Sequence, residues 1–554
     1  MPKIPSRPER YIIRIPQIRA LSGPTPDLNA VAREIEDLMT SSAPLAATGS
    51  PAATPPVIER LERTGEGLHA LSALLDDDAY NALQARHRNS LLIERDDELL
   101  PQDQFATLHD TRTLPPENHF QTVKGTDFRF KVTDAAHQPV ARVLVELVGS
   151  RRSARDVSDA RGQVTLTLFS ETPETLRRLI VKPPDRFWGI DVERPALTPA
   201  PVGDNPIVLD PLEDLDRQVS TWGLQIMGLD HAPAQPATHP VRVAIIDSGL
   251  SAQHPDLEAA GGHDFNAGAD PAKTWKQDDS GHGTHVSGVC GALNNQIGIV
   301  GAAAPGVQIF GLKVFPDARV SKLVRALDWC IDNRVDIVNL SLGTTAFNQT
   351  FQEAVARARS AGLVLVAAAG NSSGDVLYPA RFNEVVAVAA LGKADAFPAT
   401  SPHRHYIGPH QSGNLFVADF TCTGDEIDFI APGVAVVSTV PGGSYAAWDG
   451  TSMACPFITG FLARLLQTDP HLASLPRDAS RVSRLVDRAK SLARYLDFPP
   501  TTQGAGLPVW PANASPEPHP DSETKREILR HLDRVLFLLD QRLGESPDPA
   551  RLST

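Results

Sequence analysis

The chain reads as an α/β protein: a parallel sheet with helices on both faces, preceded by two smaller N-terminal units. Three observations predict this. Between residues 218 and 510, nearly unbroken apolar runs (Val241–Ile246, Val335–Leu340, Leu363–Ala369, Val385–Ala390) alternate with stretches of helical periodicity. Continuous apolar strands separated by helices belong to a parallel sheet covered on both sides. Upstream, residues 124–212 carry short alternating strands between turn signals, the pattern of a small β-sandwich. Finally, 554 residues exceed what one hydrophobic core organises, so several domains are expected.

Residues 1–120 are expected to form a small α/β unit. Tyr11–Ile15 is rich in β-branched residues and reads as a strand. Asp27–Met39 places Leu28, Val31, Ile35 and Leu38 at helical spacing, with Asp27 as cap. An Ala/Pro/Ser/Thr-rich linker follows at 41–56. Leu68–Ala85 then reads as a helix and Ser90–Glu94 as a strand. In residues 124–212 the strands are Phe128–Val132, Val143–Leu147 and Val164–Leu168, parted by Asp134-Ala135 and Asp159-Ala160-Arg161-Gly162. This module resembles the carboxypeptidase-regulatory-like or immunoglobulin-like modules appended to many enzymes. A Pro-rich linker at 511–520 leads to a C-terminal amphipathic helix at 521–545, with Ile528, Leu529, Leu532, Val535, Leu536, Leu539 and Leu543 on one stripe.

Composition narrows the function classes. Hydrophobic residues make up 42% and charged residues 21%, an ordinary globular balance. The net charge of −14 argues against nucleic acid or an anionic membrane as the main partner. No apolar run near the N-terminus suits a signal-peptide core, and none reaches the ~18 residues of a membrane span. The expectation is a cytoplasmic protein. Cys290, Cys330, Cys422 and Cys455 have neither metal-like spacing nor the density of a disulfide framework.

Three segments carry chemistry. A peptide bond resists a plain hydroxyl, so a serine nucleophile needs a base, and the base needs an orienter. Val243–Gly249 puts Asp247 where a buried strand ends in a Gly-bearing turn. His282-Gly-Thr-His285-Val-Ser-Gly288 offers an imidazole at the opening of a helix. Gly450-Thr-Ser452-Met-Ala-Cys-Pro456 sets Ser452 at another helix start, where backbone N–H groups point outward.

These three segments resemble the signatures of the subtilisin-like serine protease family (subtilases), and they follow its Asp, His, Ser chain order. The resemblance covers about half the chain. It implies a subtilisin-like parallel sheet and a serine endopeptidase in which Ser452 attacks, His282 moves the proton and Asp247 orients the imidazole; His285 is structural. Ala367-Ala-Ala-Gly-Asn371 matches the family's oxyanion-hole strand end, with Asn371 as side-chain donor beside the N–H of Ser452. Ser341-Leu342-Gly343 matches the edge that pairs with an extended substrate by strand addition. Leu377 stands where many relatives have a small residue at the floor of the primary specificity pocket, which would favour smaller side chains there.

The resemblance also implies a structural calcium ion. Leu293-Asn-Asn295-Gln-Ile297-Gly-Ile299 matches the family's tight calcium loop, Asp256 its carboxylate ligand and Gln218 its N-terminal amide ligand. Oxygen donors from separated segments suit a hard cation. Two features depart from the family. Phe457 and Thr459 replace its usual residues after Ala454-Cys-Pro456, and an insertion at Ser401–His410 brings three histidines, read either as a solvated loop or as a metal site.

The N-terminal unit has the order of the family's inhibitory prodomain. Either it is removed by a cut near Asp214–Gln218, or the N-terminal half stays attached as a regulator. The leading expectation is an endopeptidase acting on polypeptide substrates, autoprocessed or regulated by its N-terminal region. The alternatives are a selective intracellular processing protease dependent on a partner, and a binding or scaffold protein on a protease fold. The C-terminal helix is the expected site for a protein partner.

Overall fold

The computed structural model describes residues 9–14, 27–41, 58–63, 67–87, 90–102, 125–232, 240–266, 268 and 270–511. The linker expected at 41–56 therefore lies, beyond Ser41, outside the described residues, as do the Pro-rich linker beyond 511 and the C-terminal helix.

The N-terminal unit comprises β1 (Glu9–Arg14), α1 (Leu28–Ser41), β2 (Ile58–Arg63), β3 (Gly67–Leu75), α2 (Asp77–His87) and β4 (Leu92–Arg95), followed by the two-residue strand β5 (Leu100–Pro101). Its antiparallel sheet has the order β2-β3-β1-β4, and Ile13, Leu71 and Leu75 pack with Leu28, Val31 and Ile35 of α1 in one core. The Asp27 side chain accepts from the Asn29 N–H (2.9 Å), as its place before α1 predicts. The helix expected at Leu68–Ala85 is instead a central strand followed by a helix. Asp76 is the reason: its carboxylate accepts from the Ala79 N–H at 2.8 Å and starts α2 afresh. The apolar run before it is held between β1 and β2. The strand Ile58–Arg63 was not anticipated at all.

Residues 125–209 form two small sheets: β7 (Leu144–Gly149), β8 (Ser153–Val157), β10 (Leu176–Lys182) and β11 (Ile190–Glu193) in one, β6 (Gly125–Asp134), β9 (Gln163–Phe169) and β12 (Asn205–Leu209) in the other. Inward residues of both, among them Phe128, Phe130, Val145, Leu147, Leu166 and Val181, share one core. β9 shows why: its residues alternate strictly between exposed and buried.

A short helix, α3 (Trp222–Ile226), leads into the large sheet. Its parallel strands are β13 (Arg242–Asp247), β14 (Ala259–Asp264), β15 (Gln308–Lys313), β16 (Ile337–Leu340), β18 (Val364–Ala368), β19 (Val386–Lys393) and β22 (Ile427–Pro432). β20 (Ile407–Ser412) and β21 (Leu415–Ala418) add an antiparallel edge. The four apolar runs of the sequence all fall on these strands. The short strand β17 (Leu342–Gly343) follows β16 directly. The main helices are α4 (His282–Gly291), α5 (Val320–Asp332), α6 (Gln349–Ser360) and α7 (Thr451–Thr468). No helix among the described residues is long and apolar enough to cross a membrane.

Candidate active site

Strand ends and helix starts carry the predicted residues, and Asp247 and His282 meet directly. Asp247 is the last residue of β13 and His282 the first of α4. Their side chains meet at 2.7 Å through Asp247 Oδ1 and His282 Nδ1, and both are buried. The Ser248 N–H also donates to Asp247 Oδ1 at 2.7 Å. The turn before α4 is fixed by Asp278, which sequence reasoning missed. Its carboxylate accepts from the Ser248 hydroxyl (2.8 Å), the Gly281 N–H (2.9 Å) and the Thr284 N–H (2.8 Å) and hydroxyl (2.6 Å). It thereby caps the first turn of the helix that carries His282 and ties it to the turn after Asp247. Its signal was an Asp placed just before a Gly-His helix start.

Ser452 is the second residue of α7 and fully buried. The chain enters that helix through Gly450, whose φ of 144° is open to glycine. The Ser452 hydroxyl donates to the Ser341 carbonyl (3.1 Å), and the Ser341 hydroxyl donates to the Ser452 carbonyl (2.9 Å). Asn339 Nδ2 donates to the Ser341 hydroxyl (2.9 Å), and the Thr459 hydroxyl donates to Asn339 Oδ1 (2.9 Å). Thr459, a departure from the expected pattern, is thus joined to the nucleophile loop. Asn339 was missed, although a lone amide in an apolar strand is a visible signal.

Asn371 follows β18 through Gly370. Its Oδ1 accepts from the Thr451 N–H (3.0 Å) and hydroxyl (2.9 Å), which fixes the amide with its NH2 end as the remaining donor. Leu377 lies between the two cleft walls: a Cβ added at Gly343 would stand 3.1 Å from its Cβ, and one at Gly370 2.7 Å from its Cγ. His285 is fully buried, stacks on Trp448 (4.6 Å) and places Nε2 3.1 Å from the carbonyls of Val436 and Ala446. Burial pushes its pKa down to about 3, so it stays neutral as a structural residue. Phe457 is accommodated by Gly223, where an added Cβ would meet its ring at 2.4 Å.

The cleft holds a segment of the same chain. β5 pairs antiparallel with β17, Leu100 opposite Gly343 and Pro101 opposite Leu342. The Gln102 N–H donates to the Ser341 carbonyl (3.2 Å), the Leu99 N–H to Ala318 (2.9 Å), and the Ser452 N–H donates to the Gln102 carbonyl at 2.9 Å. Leu99 and Gln102, at the two ends of the segment, are buried, while Leu100 is exposed. Nothing in the sequence signalled this, because the pairing is tertiary.

Two carboxylates anchor the unit that delivers this strand. Glu94 accepts from the Gln349 (2.8 Å) and Thr350 (3.0 Å) N–H groups at the start of α6. Asp96 accepts from the Ser321 N–H (2.9 Å) and hydroxyl (2.6 Å) at the start of α5. Both complete helix N-termini that would otherwise present unpaired donors.

The loop expected to bind calcium supplies carbonyl and amide donors. The carbonyls of Leu293, Ile297 and Ile299 converge on one point, marked by Gln218 Nε2 at 2.9, 3.0 and 2.9 Å. It is the amide nitrogen of Gln218 that faces them; its oxygen accepts from the Gln296 N–H (2.8 Å). Asn295 bonds the Pro255 carbonyl (3.1 Å) and the Ile297 N–H (3.2 Å). Asp256 is buried and accepts from the Ile299 N–H (2.9 Å), while its Oδ1 has no hydrogen-bond partner among the described residues. Burial pushes its carboxyl up to about 7. Converging carbonyls beside an unsatisfied buried carboxylate oxygen fit a hard cation. A half-turn of the Gln218 amide would add its oxygen.

The histidine insertion is solvated only in part: His410 is exposed, whereas His403 is buried and His405 docks on the two-sheet module. His405 Nε2 meets Asp191 Oδ2 of the two-sheet module at 2.7 Å, and His403 Nδ1 meets Asp449 Oδ1 at 2.7 Å. Arg404 Nη1 donates to the Asp191 carbonyl (2.8 Å), the Asp191 N–H to Thr400 (2.7 Å), and Trp188 sets its edge on His403. Among the described residues, no cluster of three His, Cys, Asp or Glu could hold a metal.

Comparison with known proteins agrees with this geometry. A model of the subtilase family matches residues 238–492. Subtilisin of Bacillus pumilus is 36% identical over 265 residues, 46% of this chain and 84% of its own length. Subtilisin E of Bacillus subtilis is likewise 36% identical over 265 residues, but those are 61% of its length, so the chain spans about three fifths of that relative. An alkaline protease of Alkalihalobacillus alcalophilus is 33% identical over 359 residues, 62% of this chain and 86% of that protein.

Proposed function

The chain belongs to the subtilase family as a subtilisin-like serine endopeptidase, and from that premise we propose that Asp247, His282, Ser452 and Asn371 are its machinery and that its N-terminal unit restrains it. Ser452 Oγ attacks the scissile carbonyl, His282 takes the proton and returns it to the leaving amine, and Asp247 holds the imidazole in the tautomer that presents Nε2. The Ser452 N–H and the Asn371 amide stabilise the oxyanion. Water then hydrolyses the acyl-enzyme by the reverse proton path. The observation that carries this reading is the 2.9 Å bond from the Ser452 N–H to a carbonyl of a strand lying in the cleft. It is the contact an oxyanion donor makes with the carbonyl to be attacked.

The substrate class is an extended polypeptide bound through the main chain of Ser341, Leu342 and Gly343, with Leu377 narrowing the primary pocket. The strand Leu99–Gln102 fills that place, which supports autoinhibition by the N-terminal unit. Calcium, held by Gln218, Asp256, Asn295 and the carbonyls of Leu293, Ile297 and Ile299, would compensate the buried carboxylate and tie three segments together; it has no role in the bond cleavage.

The test is cleavage of casein by wild type and by Ser452→Ala, with calcium and with a chelator. The variant should lose on the order of 10⁶ in turnover, a magnitude known from a subtilisin. Equal activity in both proteins would sink the assignment of the nucleophile. Faster thermal inactivation in the chelator supports the calcium site, and an unchanged rate counts against it.

A further inference from the structure

We propose that His403 and Asp449 form a positioning pair through which the two-sheet module holds the turn that carries the nucleophile. This rests on the endopeptidase reading above, with Ser452 as nucleophile and Asn371 beside it.

Asp449 stands three residues before Ser452, directly ahead of Gly450, whose φ of 144° swings the chain into α7. A glycine turn keeps its place only if the chain is tied on both sides of it. After the turn, Asn371 Oδ1 holds the Thr451 N–H and hydroxyl, and at the turn the Gly450 N–H donates to the Gly433 carbonyl (2.8 Å). Before it, the tie is the Asp449 carboxylate. Its Oδ1 accepts from the Ala435 N–H (2.8 Å), and His403 Nδ1 stands 2.7 Å from Oδ1 and 2.8 Å from Oδ2. A carboxylate only accepts, so Nδ1 carries the proton and donates it. Both side chains are buried, and without that donor the carboxylate would be drawn away towards water.

The module holds the other side of His403. The imidazole lies between Trp188 of the module, edge-on at 5.7 Å, and Phe397 at 5.6 Å. The helical turn Pro402–Tyr406 that carries it is pressed onto the module along its length. A Cβ added at Gly189 would meet Pro402 Cγ at 3.2 Å, the Asp191 N–H donates to the Thr400 carbonyl (2.7 Å), and His405 meets Asp191 Oδ2 (2.7 Å). Three steps therefore join the module to Ser452: Trp188 to His403, His403 to Asp449, and Asp449 to the turn at Gly450. The insertion at Ser401–His410 supplies the middle one. The leverage is large, because a reacting group misplaced by about 1 Å can lose about 10²-fold in rate. A pair that served stability alone would leave the rate per active molecule untouched.

The test measures kcat and KM of the full-length chain on a chromogenic peptide amide, per active site counted with a fluorophosphonate, with thermal unfolding alongside. The variants are His403→Asn, His403→Gln, His403→Leu and Trp188→Leu. Asn places its amide nitrogen where Nδ1 stands, whereas Gln carries the same amide one carbon further out, at the place of Nε2. His403→Gln and His403→Leu should lower kcat about tenfold with KM within about twofold, the mark of an interaction felt in the transition state. His403→Asn, which keeps the donor, should stay within about threefold of wild type. Trp188→Leu leaves the bond but loosens the ring, and should lower kcat about threefold. If His403→Leu does not fold, the contrast between Asn and Gln decides. An unchanged kcat with only a lowered unfolding temperature overturns the proposal, as does a His403→Asn no faster than His403→Gln. An unchanged kcat in Trp188→Leu overturns the module's part in it. Each of these results leaves the endopeptidase reading standing. A wild type that neither cleaves the amide nor takes the fluorophosphonate removes both.

Discussion

Two parts of the N-terminal half touch the protease domain, and they do so in opposite ways. The first unit reaches it through a strand laid in the cleft and through Glu94 and Asp96 at two helix starts. Ile12, Ala70 and Leu99 also enter that domain's core, and the buried Arg14 pairs with Glu353 (2.8 Å), but the cleft strand holds the place a substrate would use. The two-sheet module instead sends Trp188 and Leu212 into the domain's own core and buries Asp191 against Arg178 and His405. Both parts share apolar contacts with the domain; the difference is that the first unit adds a strand to the cleft, whereas the module is gripped through the fully buried Asp191.

The largest effect should come from breaking the second attachment. Asp191 is fully buried, and, against the cost of burial, Arg178 and His405 hold its pKa below the ordinary carboxylate range. Asp191→Asn turns an amide toward a guanidinium and should destabilise the docked module by about 3 kcal/mol. Thermal unfolding followed by tryptophan fluorescence, which sees Trp188, should move down by several degrees or split into two transitions. A curve superimposable on wild type would mean that the module is no more integrated than the first unit.

How far this contrast could be read beforehand differs between the two attachments. The Asp247–His282 contact, the placing of Ser452 at a helix start and the parallel sheet were legible, because strand ends and helix starts are local and their residues contiguous. Asp247, His282 and Ser452 each sit in such a segment. The helix expected at Leu68–Ala85 failed because a central strand and a following helix share apolar residues, and only Asp76 marks the break. The docking of the histidine loop was not legible because its partner, Asp191, lies more than 200 residues away. Gln102 gave no sign at all: nothing in Leu-Leu-Pro-Gln distinguishes a strand that will lie against a serine.

A smaller effect is expected at the first attachment. Replacing both caps, Glu94→Gln with Asp96→Asn, removes charge from two helix N-termini at about 1 kcal/mol each. Together these amount to about 2 kcal/mol, or roughly thirtyfold weaker docking of the first unit. Casein cleavage by the full-length chain should rise correspondingly. The unfolding temperature of the protease domain should stay where it was. A fall in that temperature would show that the first unit, too, is structural, and the contrast would fail.

The smallest effect separates the module's own integrity from its docking. Glu171 lies away from the protease domain, buried, with its carboxylate accepting from the Ser150, Arg151 and Arg152 N–H groups (3.1, 2.6 and 3.0 Å) and the Thr175 hydroxyl (2.5 Å). Burial alone would raise its pKa, but these donors bring it down to about 2. A carboxyl depressed on folding adds stability that is complete above its unfolded value near 4.5 and is lost as pH falls through the folded value. The module should therefore loosen between about pH 4.5 and 2, a window Asp191 shares in direction. Glu171→Gln keeps one acceptor, costs about 1 kcal/mol at neutral pH, and should flatten that acid dependence in part. Because Asp191 remains, the residual slope measures docking alone. If the slope is unchanged in Glu171→Gln, the acid sensitivity belongs to the interface; if it vanishes, Asp191 does not titrate as a docked residue and the module is held by its core contacts.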